Sequence, residues 1–155
     1  MKLRVLAVGR AKDGPEAALI AEYLKRMKGT LAIEEVEERR PGPELKARET
    51  ALLQAALAKT GKSGRQVVVA MDERGKTLGS REFAGKLQAW QNQGVTEVTF
   101  VLGGADGLAP ELRESADLVL CLGQMTWPHL LARVMLVEQI YRAQQILAGH
   151  PYHRD

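Results

Sequence analysis

The sequence ends in AGHPYHRD, which sets an aromatic ring, an imidazole and a guanidinium side by side at Tyr152, His153 and Arg154 and holds two of the three histidines of the chain. Chain ends are usually loose and tolerant of change, so such a cluster poses a choice between a frayed end and a working part. Upstream, His129, Arg133, Glu138 and Arg142 are the polar members of an otherwise apolar helical pattern. His129 and Arg133 stand one turn apart on one face, and Glu138 and Arg142 do the same. Either pair can be a local salt bridge. His129, beside Trp127 and a loop, is the stronger candidate for function.

Three further stretches suit ligand binding, MDERGKTLGS, GGADGLAPE and GQMTWPH, and each follows an apolar run. Gly103, Gly104 and Gly107 permit positive backbone angles and close approach of a ligand to the main chain, although a tight turn would also use them. Known phosphate cradles are excluded. TGKS at Thr60 to Ser63 imitates the end of a P-loop, but Ala56 stands where the leading glycine belongs and a strand pattern follows. GGADGL does not match the dinucleotide fingerprint G-x-G-x-x-G. Three histidines and one cysteine show no metal-ligand spacing, so no metal site is expected. Cys121 lies inside the apolar run DLVLCLG and reads as a buried, inert side chain rather than a nucleophile, and no G-x-S-x-G elbow occurs.

These groups must be carried by regular elements. Apolar, β-branched runs at Leu3 to Gly9, Leu31 to Val36, Gln66 to Met71, Glu97 to Gly103 and Asp117 to Gly123 predict five strands. Segments with three- and four-residue apolar spacing alternate with them, including SREFAGKLQAWQNQ, whose Ser80, Glu82 and Phe83 mark a helix start. The pattern predicts an α/β fold with a mostly parallel sheet flanked by helices. EEVEERRPGPE reads as a connecting loop rather than a domain boundary. The three suspect stretches then all lie at carboxyl ends of strands, where open α/β sheets bind ligands.

The last helical pattern, PHLLARVMLVEQIYRAQQILAG, opens at Pro128 and stops at Gly149. Its apolar residues cover more than one stripe, which calls for two neighbours and suggests a second subunit as one of them. At 155 residues, with 45% hydrophobic and 26% charged residues, the chain fits a single domain, residues 1–155, with one buried core. A formal net charge of +3 is compatible with a polyanionic partner and does not demand one. The start MKLRVLAVGR is too short in apolar residues for a signal peptide, and no run is long enough to span a membrane, so a cytoplasmic protein is expected.

FVLGGADGL, GQMTWPHLLARVMLVEQIYRAQQI, MDERGK and the terminal PYHR together closely resemble the RlmH (YbeA) family of the SPOUT methyltransferase superfamily, essentially from LRVLAVGR to YHRD. The resemblance implies an S-adenosyl-L-methionine-dependent methyltransferase acting on N3 of a pseudouridine in helix 69 of 23S ribosomal RNA on assembled ribosomes. It also implies a homodimer and a carboxyl-terminal trefoil knot, which the general rarity of knots would never suggest. Carried over, cofactor contacts fall on Met71, Gly103, Leu122, Gly123, Gln124, Met125, Thr126 and Trp127, several through the backbone. Where this chain has Met71 the family often has leucine, and where it has Cys121 and Gly123 the family often has serine or another small residue.

Methyl transfer from a sulfonium needs N3 held about 3 to 3.5 Å from the methyl carbon and the N3 proton removed. His153, or a group beside it, is expected to take or relay that proton, and Arg154 to stabilise charge on the uracil ring or hold a phosphate. Glu138 and Arg133 would position them, and Tyr152 would stack on a base for about 1 to 3 kcal/mol. The tail is expected to turn back toward the cofactor crevice and to stay mobile until RNA arrives. A non-enzymatic ribosome-binding or assembly protein with a SPOUT fold is the competing class. A phosphorelay or nucleotide-binding α/β domain is a weaker alternative, suggested by Asp72 after a buried strand.

Overall fold

A strand whose residues are apolar on both faces belongs inside a parallel sheet covered on two sides, and the computed structural model of the protein places the first, third and fourth of the expected runs there, with Leu31–Val36 and Leu118–Cys121 at the two edges. It describes residues 1–60 and 64–155; most of the TGKS stretch therefore lies outside the described residues. The elements run β1 (Lys2–Val8), α1 (Pro15–Met27), β2 (Leu31–Val36), α2 (Leu45–Thr60), β3 (Arg65–Thr77), α3 (Ser80–Asn92), β4 (Val95–Leu102), α4 (Pro110–Ser115), β5 (Leu118–Cys121) and α5 (His129–Leu147). The strand order is β2-β1-β4-β3-β5, with every pairing parallel. In register, Ile33, Val5, Phe100, Val69 and Leu118 form one row across the whole sheet.

Side chains alternate faces along each strand, and the two faces have separate cores. Leu3, Val5 and Ala7 of β1 join Ile20 and Met27 of α1, Phe83 and Leu87 of α3, and Leu136, Val137 and Ile140 of α5. Leu6 and Val8 meet Leu53 and Ala56 of α2 and Leu112 of α4 on the opposite face. The result is three layers, with α1, α3 and α5 on one side and α2 and α4 on the other.

Four local features differ from the sequence expectation. Strand β3 runs on to Thr77 because it pairs with β5 in two pieces: Met71 and Lys76 both stand opposite Leu120, and the residues between them leave the ladder. The last strand is shorter than expected, since Asp117 ends the preceding turn instead, its carboxylate accepting the Val68 N–H at 2.7 Å. Helix α4 starts at the end of the expected loop GGADGLAPE, runs past it to Ser115 and is too short to show a period; Pro110 begins it, where a missing N–H costs nothing. Pro128 sits just outside α5 rather than in its first turn. At the other end Gly149 takes φ +71°, and the His150 N–H returns to the Gln145 carbonyl at 2.9 Å. Only glycine adopts that angle without strain, so it does end the helix as expected.

The two apolar sides of α5 are covered by α1 and α3 of the same chain, so its pattern does not by itself demand a second subunit. Arg133 also departs from expectation. Its side chain is directed inward and the residue is 1% exposed. Its Nη1 donates to Glu35 at 2.6 Å, and its Nη2 donates to the Val8 and Gly9 carbonyls at 3.2 and 3.1 Å. The same Glu35 oxygen accepts the Ala11 N–H at 2.7 Å. Arg133 therefore fastens α5 to the ends of β1 and β2 and has no contact with the tail residues it was expected to position. Replacing it by methionine should lower stability in urea denaturation by about 3 kcal/mol or more, because Glu35 loses its buried cation. A loss under about 1 kcal/mol would show that the tie is dispensable.

Candidate active site

Because all five strands are parallel, the loops that follow β3, β4 and β5 emerge at one edge of the sheet. There they enclose a crevice of about 430 Å³, a size suited to a nucleoside-like ligand. Met71 and Asp72 line it from β3, Gly103 to Gly107 from the loop after β4, and Leu120 to Gly123 with Met125 to His129 from β5 and the loop beyond. Of the residues expected to bind a cofactor, all but Gln124 line this space; Gln124 is exposed nearby. Met125 is 75% exposed and Trp127 39%, so the rim offers apolar surface to whatever enters.

The crevice walls are held by specific bonds. Gly104 and Gly107 bridge to each other, closing the glycine loop into a small rigid turn, with Gly107 N–H to Gly104 carbonyl at 3.0 Å. Behind this loop lies Glu49 of α2. Burial, then the nearby negative charge of Asp106, push the Glu49 carboxyl up, against a bond from the Gly104 backbone that holds it down. Cys121 is buried as expected, and its thiol donates to the Gly123 carbonyl at 2.7 Å, which pins the turn after β5. Asp72 has a side chain only 4% exposed and is paired with Arg74 and Arg113. That burial argues against a phosphorelay carboxylate, which must face solvent. Among the described residues, no three histidine, cysteine or acidic side chains cluster as a metal site.

Among the candidates for catalysis, only His129 lines the crevice, exposed at the start of α5 and directed toward Gly9. Of the others, Arg133 is the buried tie to Glu35, while Glu138, Tyr152 and His153 gather on a different side of the β5 turn. There a second, more apolar cavity of about 460 Å³ lies between α1, α3 and α5, lined by Tyr23, Leu78, Phe83, Met135 and Glu138 among others. Leu120 to Gly123 form a wall common to both cavities.

Near the second cavity the tail is docked onto its own chain. The Tyr152 hydroxyl donates to Glu138 at 2.9 Å, its ring meets Tyr141 edge-on at 4.8 Å, and the Arg142 guanidinium covers it at 4.9 Å. Burial, then bonds to Tyr23 and Glu138, push the Tyr152 phenol well above its usual range. Arg142 pairs with Glu138 at 2.6 Å, so the local salt bridge considered for these two is real. His153 Nδ1 lies 3.1 Å from Arg142 Nη1, and Nε2 lies 3.1 Å from Asp155. Since arginine can only donate, Nδ1 accepts and Nε2 carries the hydrogen donated to Asp155. Asp155 itself forms a two-point pair with Arg81 at 2.7 and 2.8 Å, and that arginine, with smaller help from His153, pulls its carboxyl down to about 2. Arg154 is exposed.

The expected turn of the tail toward the cofactor crevice is thus corrected. Gly149 reverses the chain, but the residues that follow run back along α5 to Glu138, Arg142 and Arg81. Tyr152 is held between Tyr141 and Arg142 and offers no free face for a base in this arrangement. Sequence reasoning missed Glu35, Glu49, Arg81 and Arg113, which hold loops rather than form any motif; the paired glutamates in LAIEEV were the one visible hint, since they break an apolar strand.

A family profile described as "Predicted SPOUT methyltransferase" matches residues 1–153. Proteins named ribosomal RNA large subunit methyltransferase H are similar over nearly the whole length: one from Rhodospirillum centenum is 53% identical and one from Paramagnetospirillum magneticum 50%, each with 99% of both chains covered. Among solved structures, a probable methylase family protein from Haemophilus influenzae Rd KW20 superposes with a TM-score of 0.59 at 16% identity, covering 99% of this chain and 70% of that one. A probable methyltransferase from Bordetella pertussis Tohama I gives a TM-score of 0.55 at 18% identity, covering 92% and 95%. These two likenesses bear on the fold alone, whereas the profile and the sequence relatives reach further: the chain belongs to the SPOUT methyltransferase family and groups within it with the ribosomal RNA large subunit methyltransferase H proteins.

Proposed function

We propose that the protein is an S-adenosyl-L-methionine-dependent methyltransferase that modifies N3 of a pseudouridine in helix 69 of 23S ribosomal RNA, acting in the cytoplasm on assembled ribosomes. The observation that carries this reading is the crevice at the carboxyl edge of the sheet, lined by Met71, Gly103, Leu122, Gly123, Met125, Thr126 and Trp127. Its chemistry fits the donor: apolar side chains for an adenine ring, main-chain groups at its edges, and no phosphate cradle for a ligand that has no phosphate. When bound, S-adenosyl-L-methionine supplies a methyl group made electrophilic by a sulfonium centre.

This chain's own residues must then bring the base in and take up a proton. Trp127 and Met125 at the rim give a base an apolar surface, and His129 faces the same opening. His153 is the proposed proton acceptor or relay, with Arg154 free in solvent to meet a phosphate or the charged ring. In the docked tail both His153 nitrogens are engaged, so accepting a proton requires Nδ1 to give up its bond to Arg142. Glu138 positions the tail through Tyr152 and Arg142.

We infer further that the active unit is a homodimer. Glu138 and the tail do not line the crevice of their own chain, and the β5 turn stands between them. A partner's tail facing that crevice supplies what one chain lacks. The trefoil knot belongs to the same proposal. Its support is the two-piece pairing of β3 around β5, with Gly75 so close to β5 that a Cβ there would stand 2.6 Å from the Val119 carbonyl.

Two experiments test these readings. Calorimetry should show S-adenosyl-L-methionine binding to the wild-type protein and to a variant lacking Tyr152 to Asp155, while mass mapping of 23S RNA from cells with only the variant shows the methyl group missing. Full methylation by the truncated protein would overturn the tail's role, and no binding by the intact protein would favour the non-enzymatic class. Mixed dimers of the truncated chain with a crevice variant should regain activity if sites are shared; none regained would count against sharing.

The tyrosine environment gives a separate test. A raised phenol pKa means that the folded state favours neutral Tyr152, a contribution fully present below pH about 10 and lost as pH climbs through the folded value. Ultraviolet titration of the folded protein should show a late tyrosine step that Tyr152→Phe removes and Glu138→Gln brings to lower pH. Its persistence in Tyr152→Phe would show that the docked tail is not its source.

A further inference from the structure

The MDERGK segment contains a carboxylate that neither binding nor proton transfer has used. Asp72 lies in β3 just past Met71, where the pairing with β5 breaks register, and the residues up to Gly75 have no ladder partner on β5. One Asp72 oxygen accepts the Arg74 N–H at 2.9 Å and lies 3.3 Å from the Arg74 guanidinium. The other lies 3.6 Å from Arg113 Nη1 on α4. That same nitrogen donates at 2.7 Å to the carbonyl of Leu108, the first residue after the glycine loop. Arg113 is behind the crevice, whereas Asp72, Arg74 and Gly103 to Gly107 line it.

A chain of contacts thus runs from the middle of β3, through one buried carboxylate and its ion pair with one guanidinium, to the exit of the glycine loop. The loop between Gly104 and Gly107 is closed on itself, so fixing its exit fixes the whole turn. We propose that Asp72 is a positioning residue that couples two walls of the crevice, one carrying Met71 and the other Gly103, and so sets the width of the cofactor slot. The inference rests on the reading that this crevice holds S-adenosyl-L-methionine. Asp72 acts here through Arg113 and not by attracting the cofactor's positive charge.

The distinction can be measured. Asp72→Asn keeps the size of the side chain and an oxygen for the Arg74 N–H but removes the charge that faces Arg113. Arg113→Met removes the other partner and the bond to Leu108. Hydrogen exchange on the ligand-free proteins should quicken together in residues 72–76 and 103–109 in both variants. Calorimetry should show affinity for S-adenosyl-L-methionine reduced about tenfold or more, with the double variant no weaker than the worse single one, the mark of partners in one network. The demethylated thioether product, which lacks the sulfonium charge, should lose affinity in parallel. In turnover the loss should fall on KM for the cofactor and leave kcat little changed.

Exchange confined to residues 72–76, or unchanged in both segments, overturns the coupling. Weakened binding of the sulfonium form alone overturns it too, in favour of direct charge attraction. A fall in thermal stability with unaltered exchange in these segments and unaltered affinity would reduce the pair to a scaffold bond. Failure of the wild-type protein to bind the cofactor would defeat the reading of the crevice, while the exchange result would still decide whether the two walls are coupled.

Discussion

Parallel pairing is the constraint from which the rest of this structure follows. Parallel strands need a crossover between each pair, so every connection must pass over a face of the sheet and return, and every carboxyl end points the same way. That geometry explains the helices on both faces and the row from Ile33 to Leu118, whose central residues Val5, Phe100 and Val69 are fully buried. It also obliges the loops after β3, β4 and β5 to share one edge. Ligand binding is a consequence of this sharing, because backbone groups that no ladder satisfies are concentrated there.

The short strand β5 turns the shared edge into two compartments. Both halves of β3 pair with it, and its last residues, with the turn pinned by the Cys121 thiol, form a wall common to the crevice and to the apolar cavity among α1, α3 and α5. The residues proposed to bind the cofactor collect on one side of the wall and the acid, base and guanidinium of the tail on the other. The proposal of a shared active site follows from where this wall stands rather than from the apolar pattern of α5.

Much of this could be read from the sequence. β-Branched runs located five strands, and their order in the chain with intervening helical periods identified the α/β class; the glycine loop and GQMTWPH fell at carboxyl ends as expected. What could not be read were the long-range polar bonds. Arg133 and His129 share a helix face at the right spacing, but the guanidinium goes inward to Glu35, nearly a hundred residues away in sequence. Spacing records neighbours on one element, whereas a buried cation goes to whichever carbonyls and carboxylate the tertiary fold leaves unsatisfied. Helix α4 escaped for a simpler reason, since six residues cannot display a period.

The tail shows how a chain end can be ordered without a core of its own. Few apolar atoms hold it, and its exposed pair of Arg81 with Asp155 contributes little stability by itself. The bonds nevertheless form a connected series, from Glu138 through Arg142 to His153, then Asp155 and Arg81, with Tyr152 wedged against Tyr141. Its weak links are the outermost ones, where solvent competes best, and its firm link is the half-buried carboxylate of Glu138. The proposed role of His153 as proton acceptor suits this arrangement, since both ring nitrogens are held while the outer partner, Asp155, faces solvent.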